Sequence, residues 1–244
     1  MSQSIQITDS YALIGAHPMH HLDVTPEMLI QEMDRNRISS ALVVSTLGIL
    51  YSYDTGNDDV LAASKTNARL IPVATIDPRR YFGSESDLQS LKSRGFKAIR
   101  FYPAEQGWPI DSAAFAQLLK KLAPSGMPVM INAGRPGDPT AVARAAGDYP
   151  GSVVLCSVSL DVLADTIAVM SEHANLMVET HELHVPGGLE AIAERAGANR
   201  IVFGSGAPSR SIGSSLYYVT SAGLSDADKM LMLGGNIRRV LEAE

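Results

Sequence analysis

The chain has 244 residues with 20 Lys and Arg against 26 Asp and Glu, and its net charge of −6 disfavours a nucleic-acid-binding protein, because phosphate backbones are bound by basic surfaces. No apolar run approaches the roughly 20 residues of a membrane-spanning helix, and the start MSQSIQITDS lacks the basic and apolar regions of a signal peptide. The single cysteine excludes an internal disulfide framework and a multi-cysteine zinc site. We therefore expect one domain over residues 1–244, cytoplasmic, acting on a small molecule and contacting neither membrane nor nucleic acid.

Short apolar segments alternate eight times with amphipathic segments of helical period, which is the pattern of a parallel sheet covered by helices. The predicted strands are Tyr11–Ala16, Ser40–Ser45, Arg69–Ile76, Lys97–Tyr102, Pro128–Asn132, Ser152–Ser157, Asn175–Thr180 and Arg200–Phe203. The predicted helices are Thr25–Asn36, Asn57–Asn67, Glu85–Arg94, Ser112–Leu122, Thr140–Asp148, Leu160–His173, Gly188–Ala196, Ser214–Ser221 and Ser225–Glu242. Eight strands in about 200 residues favour an α/β fold of the TIM (β/α)8 barrel type over an open doubly wound sheet.

Candidate functional residues follow from the rule that a TIM barrel carries its active site at the C-terminal ends of its strands. Most of the histidines follow the first or the seventh predicted strand: His17, His20, His21, His181 and His184. The other predicted strand ends contribute Arg79, Arg80, Arg100, Asn132, Arg135, Ser205 and Arg210, and Trp108 lies in the loop after the fourth strand as a candidate pocket wall. Arg100 is the strongest candidate among the arginines, because a charge on an otherwise apolar strand must face a polar cavity.

The stretch NRIVFGSGAPSR, residues 199–210, resembles the last barrel strand of the amidohydrolase-related (amidohydrolase 2) family of TIM-barrel hydrolases, where R-I-L-F-G-S-D-x-P ends on a metal-binding aspartate. The segments IGAH, PVMINAGRP and LSDADKMLMLGGNIRRVL are similar to that family's first strand, fifth strand and closing helix. The resemblance implies an amidohydrolase-like barrel and a hydrolase. It also implies a divalent metal held by two strand-one histidines, by histidines that end strands five and six, and by the strand-eight aspartate.

The residues of this chain at those five metal positions are His17, Met19, Asn132, Ser157 and Gly206. A thioether, an amide and a hydroxyl are poor replacements for imidazole as zinc ligands, and glycine offers no side chain at all. We therefore predict that the usual metal site of the family is not formed here.

Several functions remain open. The first is a hydrolase that works without the usual metal site and opens a small, carboxylated lactone, ester or cyclic amide, as some members of the resembled family do. Water would be activated by His17, His181 or His184, and the substrate would be bound by Arg100, Asn132, Arg135, Trp108, Ser205 and Arg210. The second is a relocated zinc site with His17, His20, His181 and His184 as ligands and Glu179 or Glu182 as a further donor. The third is an inactive barrel that serves as a ligand-binding or homo-oligomer subunit, and decarboxylation, which the resembled family also performs, is a further alternative.

Overall fold

The computed structural model describes residues 6–18 and 21–242 of the chain. The strands are β1 (Ile7–His17), β2 (Leu22–Val24), β3 (Ile38–Ser45), β4 (Leu70–Thr75), β5 (Ala98–Phe101), β6 (Val129–Asn132), β7 (Val153–Cys156), β8 (Leu176–Glu179) and β9 (Ile201–Val202). The helices are α1 (Pro26–Arg35), α2 (Thr46–Leu50), α3 (Tyr53–Thr66), α4 (Glu85–Arg94), α5 (Pro103–Gln106), α6 (Ala113–Leu122), α7 (Asp138–Ala146), α8 (Leu160–Glu172), α9 (Gly188–Ala196), α10 (Ile212–Thr220), α11 (Asp226–Met230) and α12 (Asn236–Glu242). No helix in these two ranges is long and apolar enough to cross a membrane.

The parallel strands close into a barrel, and the predicted fold class is confirmed. Strands β1, β3, β4, β5, β6, β7, β8 and β9 pair side by side in that order. The seam between β9 and β1 is closed by backbone hydrogen bonds from Ser10 N to Phe203 O (2.8 Å), from Leu13 N to Ala207 O (2.7 Å) and from Gly206 N to Tyr11 O (3.0 Å). The C-terminal ends of all eight strands therefore surround one mouth, as a TIM barrel requires.

Side chains alternate between the two faces of each barrel strand, and this alternation determines which polar side chains point into the barrel. On β5, Ile99 and Phe101 belong to the core between strands and helices, whereas Ala98, and Tyr102 directly after the strand, belong to the core inside the barrel. Arg100 has the same parity as Ala98 and Tyr102, so its side chain points into the barrel. The same rule turns Asn132 on β6 inward.

Three short elements were not predicted from the sequence, and all three lie at the mouth. Strand β2 pairs antiparallel with the end of β1, with His17 opposite Leu22. Helix α2 follows β3 without a connecting loop, and Ser45 caps its first turn through Leu47 N (3.3 Å). Helix α5 begins at Pro103 and ends at a glycine in the left-handed region.

The predicted closing helix, Ser225–Glu242, is interrupted in the structure. It divides into α11, an irregular turn over Leu231–Gly235, and α12. The interruption lies at Gly234, whose backbone leaves the helical conformation with φ 176° and ψ −28°. The absence of a side chain there lets the chain pack closely against the start of the described chain, because a Cβ would lie 2.5 Å from the carbonyl oxygen of Gln6.

Candidate active site

A buried ion pair lies inside the barrel beneath the mouth. The guanidinium of Arg100 donates to both carboxylate oxygens of Glu179, from Nη1 to Oε1 at 3.0 Å and from Nη2 to Oε2 at 2.9 Å. It also donates to Asn132 Oδ1 from Nε (3.1 Å) and Nη2 (2.9 Å), and its Cζ lies 3.5 Å from the centre of the Tyr11 ring. Neither Arg100 nor Glu179 is exposed to solvent, so each charge depends on the other for its stability.

Glu179 holds the imidazole of His181 in one orientation. Oε2 of Glu179 lies 2.8 Å from His181 Nδ1, and Oε1 accepts a further hydrogen bond from Ser10 Oγ (2.9 Å). Burial by itself would raise the pKa of Glu179, but the charges of Arg100 and His181 outweigh it and hold the pKa well below its ordinary value. An ionised carboxylate only accepts hydrogen bonds, so His181 donates from Nδ1, and in a neutral imidazole that donates from Nδ1 the acceptor atom is Nε2.

His181 lies on the wall of a cavity of about 170 Å³ at the barrel mouth, which we call the polar lobe. The polar lobe is lined by Tyr11, Leu13, His17, Glu105, Asn132, Ser157, His181, Glu182, Gly206, Ser209 and Arg210. The ring of Tyr11 meets that of His181 edge-on with centroids 4.9 Å apart. Gly206 leaves room for the imidazole, because a Cβ there would lie 3.3 Å from His181 Cδ2 and would also be strained at the observed φ of 70°.

A larger cavity of about 300 Å³ adjoins the polar lobe, and we call it the apolar lobe. It is lined by Tyr11, Leu13, His17, Thr46, Ile49, Leu50, Tyr102 and Glu105. Four of these residues, Tyr11, Leu13, His17 and Glu105, line both lobes, so the two cavities meet at the mouth. The unpredicted helix α2 supplies the outer wall.

Arg79 and Arg80, which follow the third predicted strand, lie beyond the apolar lobe and line a smaller cavity of about 100 Å³. Arg79 donates from Nε (3.0 Å) and Nη2 (2.8 Å) to the carboxylate of Asp77. Arg80 donates from Nη1 to Tyr51 O (2.7 Å). Both arginines thus support the loop after β4.

A buried aspartate ties β1 to the glycine turn after β9. Oδ1 of Asp9 accepts from Ser205 N (2.8 Å) and Tyr11 N (3.0 Å), and Oδ2 accepts from the hydroxyl of Ser205. Burial raises the pKa of Asp9 to about 7, although these hydrogen bonds act in the opposite direction. This contact fixes the turn that carries Gly206, and it was not foreseen from the sequence.

The structure brings four of the predicted site residues together at the polar lobe: His17, Asn132, His181 and Arg210. Arg210 pairs there with Glu182, donating from Nε at 3.2 Å and through a second, shorter contact from Nη2. Asn132 donates from Nδ2 to Glu105 Oε1 (2.8 Å) while its carbonyl oxygen accepts from Arg100.

The other predicted site residues lie elsewhere, each for a physical reason. Arg100 was expected to hold a substrate anion, but its countercharge is Glu179 and it does not line either lobe. Trp108 is buried against Phe115 with ring centroids 4.9 Å apart, because its indole packs in the hydrophobic core. Ser205 is buried and bound to Asp9.

Arg135 and His184 are also displaced from the lobes. The exposed Arg135 donates from Nη2 to Ala104 O (3.2 Å). His184 is exposed and meets the ring of Tyr218 with centroids 5.8 Å apart. Partial burial, followed by the charge of Arg210, lowers the pKa of His184.

The donor set does not fit the metal that the family resemblance implies. Asn132 has its amide oxygen occupied by Arg100, Ser157 offers a hydroxyl and Gly206 offers no side chain. Within residues 6–18 and 21–242, no group of three or more His, Cys, Asp or Glu side chains is arranged to hold an ion. The relocated zinc site is therefore not formed by His17, His181 and His184, and the predicted ligand His20, like Met19, lies outside the described residues.

Two features of the site were missed by sequence reasoning although signals for them exist. Glu179 was considered only as a metal donor, but it lies two residues before His181 at the end of a strand, a spacing that places both side chains on one face and allows them to pair. Tyr11 is an aromatic residue on the first predicted strand, and it lines both lobes. Glu105 has no comparable signal, because it reaches the mouth only through the unpredicted helix α5.

Comparison with known proteins agrees with this architecture. A protein from Pseudomonas putida with the provisional name 2-pyrone-4,6-dicarboxylic acid hydrolase shares 17% identity and a TM-score of 0.78, covering 99% of each chain. The 2,6-dihydroxybenzoate decarboxylase from Rhizobium shares 11% identity and a TM-score of 0.78, covering 98% of this chain and 99% of its own. The 5-carboxyvanillate decarboxylase from Novosphingobium aromaticivorans, solved with bound manganese, shares 12% identity and a TM-score of 0.74, covering 99% and 98%.

The TM-scores of 0.74 to 0.78 establish a shared fold, and at these identities they establish the fold alone. No curated protein sequence matches the chain. The model of the amidohydrolase family matches residues 10–243, which is nearly the whole chain. The predicted resemblance is thereby confirmed, and the chain belongs to the amidohydrolase family.

Proposed function

We propose that the protein hydrolyses a small ester, lactone or cyclic amide, with His181 as the general base. The observation that carries this proposal is the 2.8 Å contact between Glu179 Oε2 and His181 Nδ1 beside the polar lobe. A base that is oriented by a third group is the arrangement that activates a nucleophile in many hydrolases. Glu179 is itself fixed by Arg100 and Ser10, so the imidazole is preorganised.

The reaction would proceed through attack of water on the substrate carbonyl. A water molecule in the polar lobe donates its proton to His181 Nε2 while its oxygen bonds to the carbonyl carbon. The tetrahedral intermediate then collapses, the bond to the leaving oxygen or nitrogen breaks, and His181 returns the proton to that atom. Glu179 stabilises the imidazolium formed between the two steps, because its carboxylate accepts from Nδ1 throughout.

Arg210 is the residue that we propose to bind a carboxylate on the substrate. Among the described residues that line the polar lobe, it is the sole Lys or Arg. Its partner Glu182 and Arg210 itself retain 33% and 39% of their side-chain exposure, so the pair is weak enough for a substrate carboxylate to displace Glu182. Asn132, Ser157 and Ser209 add neutral hydrogen-bonding groups to the same wall.

The proposal is tested by a panel of lactones, esters and cyclic amides, with and without a carboxylate, in water enriched in heavy oxygen. We expect turnover that places one heavy oxygen in the product acid and that His181→Gln abolishes. Release of carbon dioxide without incorporation of heavy oxygen would favour a decarboxylase instead. Absence of any turnover above the His181→Gln background would leave the barrel as a ligand-binding protein and contradict the proposal.

A further inference from the structure

We propose that the apolar lobe is the binding site for an uncharged, ring-sized part of the substrate that carries a hydrogen-bond acceptor at its far end. This inference deepens the proposed function, on which it rests, because it names the chemical class of group attached to the carbonyl that His181 attacks. It is carried by the position of the lobe, by its lining and by two buried hydroxyl groups.

The position of the lobe makes it continuous with the proposed reaction centre. Its volume of about 300 Å³ exceeds the 170 Å³ of the polar lobe, and both share Tyr11, Leu13 and His17. A carbonyl beside His181 therefore has its larger substituent directed into the apolar lobe. A cavity of this size accommodates a ring with a short substituent.

The walls of the lobe favour an apolar and flat group. The side chains of Leu13, Ile49 and Leu50 form an aliphatic surface, and Tyr11 and Tyr102 present aromatic rings. Leu50 keeps 46% of its surface exposed in the free protein, so a bound group would remove further apolar area from water. Burial of that area supplies the binding free energy without any ion pair.

The charge of the lining disfavours an anion. Glu105 is the sole Asp, Glu, Lys or Arg among the described residues that line the apolar lobe. A carboxylate in the apolar lobe, in addition to the one that Arg210 is proposed to bind, would lose its hydration and would be repelled by Glu105. Arg79 and Arg80, in the cavity beyond, already donate to Asp77 and to the backbone of Tyr51.

Two hydroxyl groups on the lining supply the polar contact that the ligand must satisfy. Tyr102 Oη and Thr46 Oγ1 are both buried, and neither has a hydrogen-bond partner among the described residues. Tyr102 lies near the phenol of Tyr11 but forms no hydrogen bond of normal geometry with it. Buried hydroxyls without partners cost free energy, and a ligand acceptor that reaches one of them recovers it.

The test uses three uncleavable ketones whose acetyl group imitates the substrate carbonyl. The ketones para-methoxyacetophenone and para-ethylacetophenone have nearly the same shape, but only the first carries an acceptor oxygen on its tail. The third, para-acetylbenzoate, carries an anion there. Dissociation constants are measured by calorimetry with the full-length protein, with Tyr102→Phe, with Thr46→Val and with Tyr149→Phe. Tyr149 is the matched control, a buried phenol that donates to Met127 O and lines neither lobe.

We expect the wild type to bind the methoxy ketone about five- to tenfold more tightly than the ethyl ketone, the range of one net hydrogen bond. Tyr102→Phe or Thr46→Val should abolish this preference, and Tyr149→Phe should keep it. Para-acetylbenzoate should be the weakest ligand of Arg210→Gln, in which its carboxylate cannot pair with Arg210 in the polar lobe. An unchanged preference in both lobe variants, tightest binding of para-acetylbenzoate by Arg210→Gln, or no binding of any ketone would overturn the inference.

The same ketones separate this inference from the proposed reaction. The preference for the methoxy ketone over the ethyl ketone should persist in His181→Gln, because His181 does not line the apolar lobe. Selective ketone binding by a protein that hydrolyses nothing would refute the proposed function and support the binding site. Hydrolysis without selective ketone binding would support the proposed function and refute the binding site.

Discussion

Arg100→Met removes the countercharge of a carboxylate that has no access to water. In the wild type, Glu179 accepts two hydrogen bonds from Arg100, at 3.0 and 2.9 Å, and both side chains are fully buried. Breaking one side of such a pair costs about 3–5 kcal/mol. This is a large share of the roughly 5–15 kcal/mol by which a typical domain is stable. Denaturant titration should therefore show a loss of about 3–5 kcal/mol at neutral pH.

The contribution of Glu179 to the pH dependence of stability should also change sign in Arg100→Met. In the wild type, burial alone would raise the pKa of Glu179, but Arg100 and then His181 lower it below the ordinary value of 4.5. The contribution of Glu179 is thus complete above about pH 4.5 and is lost as the pH falls. In Arg100→Met, burial dominates and raises the pKa, so stability should fall as the pH rises above about 4.5.

The control for this prediction is the double variant Arg100→Met with Glu179→Leu, which removes the unpaired charge together with its partner. It should recover a substantial part of the lost stability, and it should lack the pH dependence of the single variant. A single variant that loses less than about 1 kcal/mol, or a double variant less stable than the single one, would refute the reasoning.

Two further predictions concern the buried carboxylates and the glycine turn. Burial raises the pKa of Asp9 from 3.8 to about 7, so folding disfavours its ionised form by about 4 kcal/mol. The stability of Asp9→Asn relative to the wild type should rise from about pH 4 to about pH 7, and a pH-independent difference in denaturant titrations would contradict this. A Cβ at Gly204 would lie 2.4 Å from Glu179 Oε1, so Gly204→Ala should lose about 1–3 kcal/mol and displace His181. Gly48→Ala, whose nearest contact is 3.5 Å, is the control, and equal melting temperatures for the two variants would count against the clash.

The barrel was predictable because its apolar strands alternate with amphipathic helices, several of which begin at a serine or threonine cap. Helix α4 has the predicted bounds since Ser84 and Asp87 form a reciprocal cap at its start and Gly95 ends it in the left-handed region. Helix α2 was not predicted because no turn residue separates it from β3. Ser45 both ends the strand and caps the helix.

The candidate site was predictable only in part, and Arg100 shows why. A charge on an apolar strand does need a polar partner, and that inference was sound. The partner is Glu179, which lies 79 residues away along the chain and becomes a neighbour only through the register of four strands. Sequence patterns fix which face a side chain takes, but they do not decide between a substrate and a distant side chain as its partner.

The glycine turn after β9 illustrates the same limit. The lack of a Cβ at Gly204 and Gly206 allows the backbone to approach another group closely, but the sequence does not show whether that group is a ligand or a side chain. In the structure the space at Gly204 is filled by the carboxylate of Glu179, and that at Gly206 by the imidazole of His181. The glycines therefore make room for the proposed catalytic pair.

The role of His181 is tested most directly by kcat/KM for the best substrate of the panel, measured with His181→Gln and His184→Gln. The two variants make the same chemical change, but His181 lines the polar lobe and contacts Glu179, whereas His184 is exposed outside both lobes. We predict a loss of about 100- to 10,000-fold for His181→Gln, at an unchanged melting temperature, and wild-type activity for His184→Gln. Wild-type activity in His181→Gln, or an equal loss in both variants, would contradict the account.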